Sequence, residues 1–441
     1  MKTIVKLVFL FFVINSVLSC SKDDAIAQEE KEEVNEAPVI SAQTYIAAED
    51  IADNLPIGTV RASDPEGEVL SYSISANDDN LFEINNEGVL SLDDLQVLDF
   101  ETAESHTITV AVSDGTNTTE ALVIIIVTDI DDTSFVTTWQ TTTTGETVII
   151  LTRADEFSYD YTIDWGDGTI QTGVTGDANH PYDSPGTYTV SISGTFPAIN
   201  FADNTTSQEQ LRSVERWGNI QWQTMESAFQ SVNALTINAI DSPDLSQVKN
   251  MHRMFHSTNL TGNINNWTVS NINNMSSMFQ FSSFNQDISD WNVSSVTNMS
   301  LMFQDSSFNK DISTWEVGNV TNMIAMFQGS SFNKDINSWN VANVTDMSFM
   351  FSGSSFSQDI SDWNVANVAN MLEMFSNSQF NQDLSDWTVS NVSNMLGMFF
   401  NAPFNQDISG WNVANVTSCE SFALNAPLTV ANTPNFTNCT P

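Results

Sequence analysis

The stretch Phe284-Asn285-Gln286-Asp287-Ile288-Ser289-Asp290-Trp291-Asn292-Val293-Ser294-Ser295-Val296-Thr297-Asn298-Met299-Ser300-Leu301-Met302-Phe303 decides the fold of the C-terminal half of the chain. A step of 24 residues returns the same lettering. Trp291 has counterparts at Trp267, Trp315, Trp339, Trp363, Trp387 and Trp411. Met302-Phe303 recurs as Met254-Phe255, Met278-Phe279, Met326-Phe327, Met350-Phe351, Met374-Phe375 and Met398-Phe399. Phe284 recurs as Phe308, Phe332, Phe356, Phe380 and Phe404. A fixed period of this length marks a stacked array. One unit cannot bury its own apolar face, so neighbours share a continuous core.

Within one unit, Thr297 is placed to cap a short helix, with Met299, Met302 and Phe303 at i, i+3 and i+4 on one face. Asp305 to Ser307 reads as a turn and Asp311-Ile312-Ser313 as a short strand. Trp315, Val317 and Val320 bring the chain back. The expectation for residues 201–441 is therefore an α/β, leucine-rich-repeat-like solenoid whose short strands form a parallel ladder. The 284–303 motif resembles that of the BspA-type leucine-rich-repeat surface proteins of bacteria. Val214 to Ile220 and Met225 to Phe229 are similar to that family's first coil. The resemblance implies surface adhesion or ligand binding and names no ligand. The last unit is atypical, as a capping unit should be: Cys419 stands where Met is due, with Cys439 downstream. A disulfide closing the last coil and a pair of free thiols are both compatible with this spacing.

Upstream, Asp164-Trp165-Gly166-Asp167-Gly168-Thr169 and His180-Pro181-Tyr182-Asp183-Ser184-Pro185-Gly186-Thr187-Tyr188 each join a strand pattern to a tight turn. The pair resembles a PKD domain, which implies a small β-sandwich spacer over 135–200. His180 is expected to hold a structural hydrogen bond. Residues 37–132 carry short alternating runs, including Leu70 to Ile74, His106 to Val110 and Ala121 to Val127, as in a half-buried antiparallel sandwich. Glu49, Asp64-Pro65-Glu66-Gly67, Leu98-Asp99-Phe100-Glu101 and Asp129-Ile130-Asp131-Asp132 resemble the polar signature of a cadherin repeat. That resemblance implies calcium, with Glu49, Asp99, Glu101, Asp129, Asp131 and Asp132 as its ligands. There is one such module, without a matching junction partner, so these acids read equally as turn residues.

The first residues set the expected compartment. Lys2 and Lys6 precede the apolar run Leu7 to Ile14, which ends at Val17-Leu18-Ser19-Cys20. This resembles a bacterial lipobox, implying a signal peptide over 1–19 and a lipid anchor on Cys20. The acidic stretch to residue 36 is similar to the surface-export tether of Bacteroidetes lipoproteins. The chain is strongly acidic, with 55 Asp and Glu against 12 Lys and Arg and a formal charge of −43. Such a field repels nucleic acid and favours cations and basic partners.

Chemistry-bearing sets are few. The Trp column, in phase with Met and Phe, reads as core rather than as a carbohydrate platform. The column Asp287, Asp311, Asp335, Asp359, Asp383 and Asp407 reads as side chains accepting backbone N–H bonds, with bound cations as the alternative. His252 and His256 have zinc-pair spacing but lack the accompanying glutamate. With four His in all, and no phosphate loop or nucleophile–base set, the expectation is a non-enzyme. The leading expectation is a surface adhesin on an outer-membrane lipid anchor, binding a host or matrix protein, a neighbouring cell or a polysaccharide. Carbohydrate capture for an uptake system and a structural surface coat are the competing readings.

Overall fold

The computed structural model describes residues 34–77, 80–100, 102–129, 133–202 and 205–441. Residues 1–33, with Cys20 and most of its tether, and Glu101, Asp131 and Asp132 of the acidic set, lie outside the described residues. The chain divides into two compact units at Ile130/Asp131.

The first unit is a β-sandwich. Its larger sheet takes the order β2-β9-β8-β5, from β2 (Gln43–Ala48), β5 (Ser71–Ala76), β8 (Ser105–Ser113) and β9 (Thr118–Thr128). β2 runs parallel to β9 and the other pairs are antiparallel. β1 (Val39–Ile40) pairs with β4 (Ala62–Ser63), and the facing sheet holds β3 (Gly58–Thr59), β6 (Phe82–Ile84) and β7 (Val89–Leu92). Alternation along β9 turns Val123, Ile125 and Val127 into a core with Leu90, Leu92, Ile108, Val110 and Val112.

The second unit begins as a sandwich and becomes a coil stack without a break. Its main sheet contains β10 (Phe135–Thr141), β12 (Asp160–Asp164), β13 (Ile170–Val174) and β15 (Gly186–Thr195), all antiparallel. β11 (Glu146–Ile150) and β14 (Ala178–Tyr182) pair on the other side. β16 (Leu211–Arg216) then adds antiparallel to β10, and β17 (Leu235–Ile237) and β18 (Leu260–Gly262) extend the same sheet in parallel. One apolar core runs from Phe135 to Phe422. The sequence suggests a boundary near residue 200. The sheet and the core both cross it, because β10 has the sandwich on one edge and the first coil on the other.

From residue 250 onward, successive coils meet through parallel bridges, Asn274 to Asn298, Asn298 to Asn322 and so on to Asn394 with Ser418. The Phe rings stack along the array at 5.7 Å for Phe279–Phe303 and Phe303–Phe327. Phe303 also lies flat on Phe308 at 4.2 Å.

Two expectations for the coil are corrected. Met299 to Phe303 is not a helix, and Asp311 to Ser313 is not a strand. The only α-helix among the described residues is α1 (Thr205–Gln210), so the fold is nearly all β and turn. The cause lies in the backbone hydrogen bonds. Met302, Gln304 and Ser306 donate three residues back, to Met299, Leu301 and Phe303, forming consecutive turns. Met299, Leu301, Phe303 and Asp305 instead donate to Asn322, Ile324, Met326 and Gln328 of the next coil. Leu301 and Asp305 take positive φ, 61° and 50°, which a helix does not tolerate. Every second N–H thus reaches a neighbouring coil, and buried donors are satisfied without a helix.

Candidate interaction surface

Each coil presents distinct faces, and their side chains can be ranked by what they are already doing. The seven Trp side chains of the repeat are 3% to 5% exposed. From Trp291 to Trp411 the indole N–H groups donate along the stack: Trp291 to the Ile264 carbonyl at 2.8 Å, Trp315 to Ile288 at 3.1 Å and Trp363 to Ile336 at 3.0 Å. A buried indole with its donor satisfied is a core element and not a stacking platform for sugar rings.

The Asp column is occupied in the same way. The Oδ1 atoms of Asp311, Asp335, Asp359 and Asp383 each accept the backbone N–H two residues on at 2.9 Å, and those of Asp287 and Asp407 do so at 3.0 Å. The bond from the Ser289 N–H holds the Asp287 carboxyl below the usual carboxylate range, and Lys310 adds to the effect. The Ser313 bond does the same for Asp311, aided by Lys334, and the Ser409 bond for Asp407. A second polar column closes the opposite corner. Asn274, Asn298 and Asn322 accept from the N–H of Ser276, Ser300 and Ile324.

The turn string is where the coils differ. Between the invariant Met and Met-Phe positions, the variable pair is Ser276-Ser277, Ser300-Leu301, Ile324-Ala325, Ser348-Phe349, Leu372-Glu373 and Leu396-Gly397, of which Ser276, Ser277, Ser300, Ala325, Ser348 and Gly397 are buried. The pair that follows the Phe runs Gln280-Phe281, Gln304-Asp305, Gln328-Gly329, Ser352-Gly353, Ser376-Asn377 and Phe400-Asn401. Leu301, Ile324, Phe349, Leu372, Leu396 and Phe400 are half-buried, and Phe281 is 52% exposed. Backbone bonds place these positions side by side: Leu301 N–H reaches the Ile324 carbonyl and Phe349 N–H the Leu372 carbonyl, each at 2.8 Å. The result is an apolar strip with scattered charge, different at every coil, beside uniform polar faces. The exposed column Asp290, Thr314, Ser338, Asp362, Asp386 and Gly410 is by contrast uniformly small or polar, and sequence reasoning missed the strip. The irregularity at the two positions between the Met residues was the available signal.

The remaining sequence candidates are placed as follows. His252 Nδ1 sits 2.8 Å from Ser276 Oγ, and burial lowers the pKa of His256. His180 Nε2 bonds Asp167 Oδ2 at 2.7 Å while its ring stacks on Trp165, joining the two halves of the second sandwich's motif. Glu49 is 9% exposed, and its Oε2 accepts the Phe100 N–H at 2.9 Å. Asp99 accepts from both the N–H and the hydroxyl of Thr102. Asp129 is exposed. Among the described residues no group of three or more His, Cys, Asp or Glu comes together to hold a metal ion. Glu49 and Asp99 thus each accept backbone N–H bonds, while Glu101, Asp131 and Asp132 lie outside the described residues. Cys419 and Cys439 are joined in a disulfide. No helix among the described residues is long and apolar enough to cross a membrane.

A sequence family described as "Mycoplasma protein of unknown function, DUF285" matches residues 223–334 and again 325–436, which places its unit within the coil stack. No curated protein matches the chain. Solved structures with similarity include human protocadherin-24 EC1-2, at 24% identity over 25% of this chain and 53% of that one, TM-score 0.21. Chicken VE-cadherin EC1-2 shows 24% identity over 21% and 51%, TM-score 0.19. The third cadherin domain of human protocadherin 7 shows 25% identity over 24% and 97%, TM-score 0.20. The chain spans about half the length of the first two. At such TM-scores the likeness adds nothing to the fold described above.

Proposed function

We infer that this chain is a non-catalytic cell-surface protein, lipid-anchored through Cys20, that binds a macromolecular partner through the turn face of its coil stack. The observation that carries this reading is the contrast between faces. The Trp, Asp and Asn columns are committed to holding coils together, and each repeats almost unchanged. The turn face alone varies from coil to coil and leaves Phe281, Leu301, Ile324, Phe349, Leu372 and Leu396 partly open to solvent. Scattered single apolar residues are ordinary on a surface, whereas an aligned strip of them is a feature of binding faces. A host or matrix protein, or a protein on a neighbouring cell, suits an apolar strip edged by Arg253, Asp305 and Glu373. Polysaccharide capture is less well supported, because the aromatic column it needs is buried.

The sandwiches then act as spacers between anchor and stack. The test has two parts. Cys20→Ala should release the protein from the membrane and abolish protease access on intact cells. The full chain, applied to panels of matrix proteins and glycans, should bind in the protein panel. Unchanged membrane partition, or binding confined to glycans, would overturn the reading.

A further inference from the structure

The coil stack is polar along its length. At every step the four turn-string N–H groups point toward the C-terminal end and the four carbonyls they meet point back. Examples are Met275, Ser277, Phe279 and Phe281 donating to Asn298, Ser300, Met302 and Gln304, and Met395, Gly397, Phe399 and Asn401 donating to Ser418, Glu420, Phe422 and Leu424. The stack therefore ends with acceptors at one end and donors at the other. The acceptor end is covered by the preceding segment: Arg153 Nη2 donates to the Glu226 carbonyl at 3.2 Å, and the Phe201 ring stacks on that of Phe229 at 6.1 Å. The donor end is not. The N–H groups of Cys419, Ser421, Ala423 and Asn425, the counterparts of that last donating row, have no partner among the described residues.

The same end carries a cavity. Ala423 occupies the column filled by Phe375 and Phe399 in earlier coils, so a ring's volume is missing. Phe422, Leu424, Val430 and Phe436 line the resulting space of ≈ 630 Å³ beside the donor row. Leu424 is 53% and Val430 94% exposed. The tail cannot fill the row, because its disulfide from Cys439 to Cys419 and the Phe436–Phe422 ring contact hold it over the core.

We propose that this end is a docking edge for a polypeptide segment of a partner protein, one that lays backbone carbonyls along Cys419 to Asn425 and places an apolar side chain in the cavity. A row of parallel backbone donors is complemented by a partner that supplies acceptors on its facing edge. Each internal step of the stack shows a polypeptide turn string doing that. Main-chain bonds would give affinity, and the cavity would give side-chain selection. A second copy of this chain is a poor occupant, since its own acceptor row lies under Arg153 and Phe201. This site is separate from the turn face and goes beyond the function inferred above.

The probe is a peptide with the sequence of residues 297–308, acetylated and amidated, titrated against the full chain by calorimetry. Binding should weaken at least tenfold in Ala423→Pro, which removes the central donor at a residue whose φ is not positive. It should weaken comparably in Leu424→Asp, which leaves the donor row intact and charges the cavity. Both variants should keep the disulfide and the melting temperature. No binding, or equal binding to wild type and both variants, overturns the proposal. So does concentration-dependent self-association that Ala423→Pro abolishes, which would make a second copy the occupant.

Discussion

The indole N–H of Trp339 donates to the carbonyl of Ile312 at 3.1 Å, so a side chain of one coil closes a backbone acceptor of the coil before it. Trp339 is 3% exposed and its ring lies 6.3 Å from that of Phe327. Trp339→Ala should cost about 3–5 kcal/mol in denaturant unfolding. Trp339→Phe keeps much of the volume but removes one of the two bonds to the Ile312 carbonyl, which keeps the Trp315 N–H, and should cost about 0.5–1.5 kcal/mol. Tryptophan emission of the native chain should be blue-shifted and resist an aqueous quencher. Unchanged stability in both variants, with freely quenched emission, would revive the Trp column as a binding platform.

That column was legible in the sequence because burial repeats with the side chains: Trp, Met and Phe in strict phase state which face is inside. The helix over Met299 to Phe303 was misread for a physical reason. Met299, Met302 and Phe303 face the core equally well from a helix or from consecutive turns. What separates the two is where the N–H groups of Leu301 and Phe303 go, and they go to residues 23 positions away. No local pattern reports that. The Asx role of the Asp column was readable, since Asp followed two residues later by Ser or Asn is a local motif. The turn face was hidden by its irregularity, because a search for repeats discards the positions that fail to repeat.

Acid should loosen the stack. Asp287, Asp311 and Asp407 have carboxyls held below their ordinary value by backbone N–H bonds. A depressed folded-state pKa contributes stability that is fully present above the unfolded value, about 4, and is lost as pH falls through the folded value. Glu146, held at about 2 chiefly by the Thr142 N–H, loses its contribution last. Apart from a loss that begins near pH 6.5, where His256 of the unfolded chain protonates before its buried counterpart, the melting temperature should hold to about 5 and fall below about 4. Asp311→Ala should lower the neutral-pH plateau and make the fall shallower. A plateau that persists to pH 2 would contradict these roles.

In the first unit, Glu49→Ala should lower stability by about 1–3 kcal/mol, because the Phe100 N–H loses its acceptor in a largely buried setting. The loss should be the same in excess chelator and in millimolar calcium. A calcium-dependent rise in the wild-type melting temperature that Glu49→Ala abolishes would identify the carboxylate as a ligand instead.

Gly166 lies in the turn between β12 and β13 at φ 76°, and a Cβ there would sit 2.2 Å from the Thr189 carbonyl oxygen. Gly166→Ala should destabilise the second unit by more than about 1 kcal/mol through strain and displacement of β15. Its thermal transition should drop by several degrees while the first unit's transition stays in place. A neutral substitution would show that this turn can open without disturbing the sheet.

The turn face as partner-binding surface is tested most directly by two paired variants of the full chain, presented to the same matrix-protein panel. Phe349→Ser with Leu372→Ser alters only the variable strip. Asp362→Asn with Asp386→Asn alters only a uniform polar column. Binding of whichever panel member the wild type captures should weaken at least tenfold in the first pair and stay within twofold in the second, with all three proteins melting cooperatively. Loss in the Asp pair with retention in the Phe349/Leu372 pair would contradict the assignment and move the binding surface to the uniform face.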